Sequence, residues 1–131
     1  MTGNYGHFMV YAPAEAGEAR DYGVARYGME VQRLCSVLDS ALEGKEYLVG
    51  GEYTIADMAC FPWFQTLRGK GYNRPRQPDT FDFLSVAQYT NLVAWADRIL
   101  ARPAVSRGMR VRATRAAAPR TRSGAIVSGC R

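Results

Sequence analysis

The sequence predicts an all-α protein. Three observations carry that expectation. Apolar residues recur at spacings of three and four along much of the first 111 residues. Two helix-opening boxes stand at 54–57 and 85–88. No alternation of strand and helix segments, as a parallel sheet would need, is present. The 131 residues fit one domain with a tail, and 47% hydrophobic with 22% charged residues fits a globular chain rather than a disordered one.

The elements follow in order. Gly6 to Tyr11 form an apolar piece that Pro13 stops, and it reads as the end of an element. Residues 14–21 read as a connection of weak helical character. Val24, Tyr27, Val31, Leu34, Cys35, Leu38 and Leu42 then mark one buried helix stripe, with Asp21 as the expected N-cap and Gly44 as the stop. Gly50-Gly51 marks a tight turn. Thr54 and Asp57 form a capping box: the Thr54 hydroxyl can accept from the Asp57 N–H, and the Asp57 carboxylate can accept from the Thr54 N–H. Tyr53 and Met58 are placed as its hydrophobic staple. The helix it opens runs to about Leu67 and is apolar enough to be central, with a kink expected at Pro62 and Trp63 expected in the core. Residues 69–83 read as a long loop. Ser85 and Gln88 form the second box, with Leu84 and Tyr89 as staple, ahead of a helix carrying Leu92, Val93, Ala96, Ile99 and Leu100. Pro103 suits the first turn of a short helix ending near Val111. The domain division is therefore 1–112 helical and 113–131 a basic, disordered tail.

Charge divides the chain the same way. Up to Ser106 there are ten basic and twelve acidic residues, a net −2; from Arg107 to Arg131 there are seven arginines and no acid, a net +7. Such a tail can bind polyanions by counterion release, but no aromatic residue interleaves the arginines to stack on bases. A solvated end is the expected reading, with nucleic acid not expected as a partner.

Cys35 and Cys60 sit among apolar neighbours and read as small core residues; Cys130 reads as an exposed thiol. The three cysteines match no zinc spacing, and His7 is the one histidine, so no metal is expected. Free cysteines point to a reducing compartment, the cytoplasm. There is no run of about 18 apolar residues, so no membrane span is expected. No phosphate-binding loop, nucleophile elbow or zincin motif occurs.

The block Tyr47 to Trp63, with Leu48, Gly50, Thr54, Ala56 and Asp57 in register, resembles the C-terminal domain of glutathione transferases, and Arg102-Pro103-Ala104-Val105 resembles a later segment of the same domain. Gly6-His7-Phe8, Tyr11-Ala12-Pro13, Tyr22, Arg26-Tyr27, Glu30, Arg33-Leu34 and Pro62-Trp63 are similar to the Nu-class, the bacterial glutathione-dependent disulfide-bond oxidoreductases. The resemblance covers residues 5–111, interrupted at 69–83. It implies a glutathione-transferase-like helical bundle without the N-terminal thioredoxin-like domain. Glutathione is the implied co-substrate, bound between the two halves. Arg26 is the implied partner of a glutathione carboxylate, a task suited to a guanidinium fork. His7, Phe8 and Tyr11 are the implied wall of the substrate pocket, although core packing fits them equally. Thr54 and Asp57 are structural. No catalytic residue is expected in this chain, which would be inactive without the thioredoxin-like half and would belong to a homodimer in the full-length protein. The alternative is a non-enzymatic helical interaction module whose basic tail contacts nucleic acid.

Overall fold

A computed structural model describes residues 1–69, 72 and 79–117, and among these every regular element is helical. The chain divides into two compact units, Met1–Ile99 and Leu100–Arg131.

The first unit opens with α1 (Thr2–Gly6), which runs into a π-helical turn over His7–Tyr11 and ends before Pro13. A 3-10 turn (Ala14–Ala16) leads directly into α2 (Gly17–Ala41). The helix therefore starts earlier than Asp21, which lies one turn inside it and is not the cap. The physical reason is Gly17, which joins the 3-10 turn to α2 at φ +46°, a left-handed conformation open to glycine, so the chain redirects there and winds into the helix a turn before Asp21. Val31 and Cys35 are buried along the predicted stripe. Leu42 is the C-cap, and Gly44 takes φ +68°, the left-handed conformation that lets the chain leave the helix.

α3 (Ile55–Arg68) is continuous through Pro62. It is less central than its composition suggests. Asp57, Phe61, Phe64 and Leu67 are buried, while Ile55, Met58 and Trp63 are more than half exposed. Only one face of the helix meets the core, so Trp63 is not a core residue. Tyr53 turns edge-on to Tyr47 at 5.7 Å, and Met58 is about half exposed.

Part of the expected loop, residues 70–71 and 73–78, lies outside the described residues. Its end is a helical turn, α4 (Thr80–Phe83), capped by the Asp79 carboxylate, which accepts from the Phe81 N–H at 2.9 Å. Ser85 does not open a helix. It adopts φ +50°, a left-handed conformation rare for a residue with a Cβ, and a 3-10 turn (Val86–Gln88) follows. α5 (Thr90–Leu100) buries Leu92, Trp95, Ala96 and Ile99, one stripe at spacings of three, one and three. Trp95 meets Phe61 at 6.2 Å and Phe64 at 6.3 Å, which joins α3 to α5. Tyr5 of α1 is fully buried, edge-on to Tyr72 and stacked on Phe83.

The second unit contains α6 (Pro103–Ala117), which opens on its proline as expected. It continues past Val111 because Ala and Arg are strong helix formers. Residues 118–131, which hold Cys130 and the rest of the tail, lie outside the described residues.

Candidate functional site

Arg26 lies on α2 with its side chain half exposed. Its guanidinium approaches Glu30, one turn on, at 3.7 Å. Arg33 holds the same carboxylate far more closely, through Nε at 3.1 Å and Nη2 at 2.6 Å, both to Oε1. The Arg33 hydrogen bond is the main reason the Glu30 carboxyl lies below its usual range. Glu30 is thus shared: Arg33 holds Oε1 closely, and Arg26 faces Oε2 at the longer distance.

The π-helical turn carries the three expected wall residues. Phe8 is partly buried: its ring stacks on Tyr27 at 5.5 Å and rests against the Gly23 backbone, where an added Cβ would collide with it. His7 is exposed and edge-on to Phe8 at 5.3 Å, and Tyr11 is 72% exposed. His7 and Tyr11 are thus open to a ligand, whereas Phe8 is also a packing residue. Arg20 of α2 donates to this turn, from Nε to the Phe8 carbonyl at 3.1 Å and from Nη2 to the Met9 carbonyl at 3.3 Å.

A second surface was not anticipated. An apolar trough of about 530 Å³ runs between α2 and α3, lined by Leu34, Cys35 and Leu38 on one side and Ala59, Cys60 and Trp63 on the other, with Met1 to Gly3 at its edge. None of Arg26, His7, Phe8 and Tyr11 lines it. Burial, with Asp39 adding to it, pushes the Cys35 thiol up to about 11, and burial with Asp57 pushes Cys60 up as well. Neither sulfur is a poised thiolate. Among the described residues there is no group of three or more His, Cys, Asp or Glu that could hold a metal ion.

The capping box at the head of α3 is present in both directions. The Thr54 N–H donates to Asp57 Oδ2 at 2.9 Å, and the Thr54 hydroxyl donates to the same oxygen at 3.2 Å. Asp57 Oδ1 accepts from the Leu48 N–H at 3.1 Å and from the Trp95 indole N–H at 2.8 Å. Burial raises the carboxyl pKa, but the four donors together outweigh it and hold the carboxyl below its ordinary value. Asp57 therefore ties three segments together: the turn at Leu48, the head of α3 and the core of α5.

This arrangement has relatives. The family model described as "Glutathione S-transferase, C-terminal domain" matches residues 6–103. The chain belongs to the glutathione S-transferase family, as its C-terminal domain. It is 40% identical over 115 residues to the disulfide-bond oxidoreductase YghU of Escherichia coli, covering 87% of this chain and 36% of that protein. It is 34% identical over 109 residues to the disulfide-bond oxidoreductase YfcG of the same organism, covering 83% and 43%. Among solved structures, a Burkholderia graminis glutathione transferase with two glutathione molecules bound per subunit matches with a TM-score of 0.72 at 34% identity, over 82% of this chain and 41% of that one. A Streptococcus pneumoniae glutathione transferase YghU complexed with glutathione matches at 0.68 and 41% identity, over 83% and 39%. The chain thus spans about two fifths of the length of these relatives.

Within this glutathione S-transferase domain, two structural residues escaped the sequence reading. Trp95 is the largest fully buried side chain, yet it was not among the predicted core positions. Its place three residues after Leu92 and four before Ile99 was the available signal. Asp39, near the end of α2, accepts from the Leu92 N–H in the first turn of α5 at 2.9 Å. No local pattern announces that contact.

Proposed function

We propose that this chain is the C-terminal half of a glutathione-dependent transferase or disulfide-bond oxidoreductase. Its part is to bind a glutathione carboxylate through Arg26 and to wall the substrate pocket with His7, Phe8 and Tyr11. The observation that carries the reading is the half-exposed Arg26 fork, weakly engaged at 3.7 Å, in a domain whose relatives include two disulfide-bond oxidoreductases.

The implied chemistry is thiol–disulfide exchange. A glutathione thiolate attacks a disulfide sulfur, forms a mixed disulfide and releases one thiolate. A second glutathione thiolate then attacks that mixed disulfide, giving glutathione disulfide and the second free thiol. The raised thiols of Cys35 and Cys60 suit neither role. The activating groups for the glutathione sulfur would come from a thioredoxin-like half, a partner that this reading places outside the present sequence. A homodimer and a cytoplasmic location belong to the same proposal.

The test uses the purified chain with glutathione and a small dialkyl disulfide. Turnover indistinguishable from the uncatalysed rate, with glutathione binding that weakens in Arg26→Gln, is the expected result. Turnover well above background would refute inactivity, and unchanged binding in Arg26→Gln would remove its assigned role.

The alternative, a helical module with a nucleic-acid-contacting tail, draws on the seven acid-free arginines from Arg107 onward. It requires RNA binding that falls with salt and is lost when residues 107–131 are deleted.

A further inference from the structure

Between α1 and Pro13 the chain widens into one π turn, in which the Ala12 N–H donates to the His7 carbonyl at 2.8 Å. The next bond in that register would take the Phe8 carbonyl to the N–H of residue 13. That residue is proline and has no N–H. The turn therefore ends with carbonyls that the backbone cannot satisfy in its own pattern. The Arg20 guanidinium answers this from α2, with Nε on Phe8 and Nη2 on Met9. One side chain thus bridges two successive carbonyls, which a planar fork can do and a point-like ammonium cannot do with the same geometry. Arg20 is also six residues from Arg26 on the same helix.

We propose that Arg20 is a positioning residue. It splints the π turn to α2, and so sets where the exposed His7 and Tyr11 stand relative to Arg26. This rests on the reading of that turn as the pocket wall. It assigns Arg20 to selectivity for the group carried on the glutathione sulfur, and not to recognition of glutathione itself. The logic is a division of labour. A carboxylate on Arg26 is common to every glutathione conjugate, whereas the wall meets only the sulfur substituent.

The experiment compares glutathione with S-hexylglutathione on the whole chain. Binding is followed by the Hε1 ring-proton signal of His7, which is the chain's one histidine and so gives one resonance of that kind. In Arg20→Gln, S-hexylglutathione should weaken by about fivefold or more while glutathione stays within about twofold. Exchange of the Ala12 amide should quicken about tenfold, with the α3 amides unchanged. Arg20→Lys should behave like Arg20→Gln; parent-like behaviour of the lysine variant would mean that charge alone suffices and would overturn the fork. Equal weakening of both ligands, or no change in Ala12 exchange, would also overturn the proposal. Arg26→Gln should weaken both ligands together. If it weakens neither while Arg20→Gln still acts selectively, the carboxylate assignment falls and the role of Arg20 stands. A parent chain that binds neither ligand sinks the glutathione reading and the selectivity role with it.

Discussion

Asp57 is a buried carboxylate with four donors, and removing it leaves the Trp95 and Leu48 N–H groups without their acceptor. Loss of a cap costs about 1 kcal/mol, and buried donors left unsatisfied cost about 1–3 kcal/mol. Asp57→Ala should therefore destabilise the chain by about 3 kcal/mol, lowering the melting temperature on the order of 15 °C in a thermal scan. The folded carboxyl lies below its ordinary value of 3.8, so the unfolded state binds the proton more readily. The stability it contributes is complete above that ordinary value and is lost as pH falls through the folded-state pKa. Acid titration of stability should be steeper in the parent than in Asp57→Asn. Gly23 presents the opposite case, in which a side chain must be absent. Gly23→Ala drives a methyl into the Phe8 ring and should cost about 2 kcal/mol, read by denaturant unfolding. With its thiol at about 11, Cys35 should resist alkylation at pH 8 until the chain is unfolded.

Among the elements, the two helix-opening boxes had different fates. Thr54 and Asp57 lie within one turn, and the box forms because the chain arrives at Thr54 in extended conformation, φ −120° and ψ 177°. Ser85 and Gln88 show an equivalent pattern, but the chain reaches Ser85 from α4 in a left-handed turn, and what starts there is a single 3-10 turn rather than an α-helix. The head of α5 draws its acceptor from Asp39 on α2 instead, and Asn91 Nδ2 adds contacts to the same residue at 3.4 Å. Asp39→Ala should cost about 1 kcal/mol and fray the first turn of α5, seen as faster exchange of the Leu92 amide. Trp95→Phe keeps an aromatic ring against Phe61 and Phe64 but deletes the donor to Asp57. It should cost about 2 kcal/mol.

At the scale of the whole chain, Met1–Ile99 carries both the Arg26 surface and the apolar trough. The trough is an open apolar surface, and water contact there is unfavourable. The purified chain should therefore self-associate at high concentration. Trp63→Ser should lower that tendency in sedimentation velocity without lowering the melting temperature, because Trp63 is 53% exposed and contributes little to the core.

The helical class, the order of the main helices, the Thr54–Asp57 box and the family motif were all determined by the sequence itself. Each depends on residues within a few positions of one another, where spacing fixes geometry. Only the tertiary structure decided that Trp95 and Leu48 complete the Asp57 carboxylate, that Asp39 opens α5, that Arg20 spans the π turn and that α3 keeps an open face. These contacts join residues as far as 53 positions apart, and satisfying buried polar groups is a property of the assembled chain. Whether an apolar helix face ends in the core or at a trough depends on which neighbours pack beside it, and a helical period records only that the face exists.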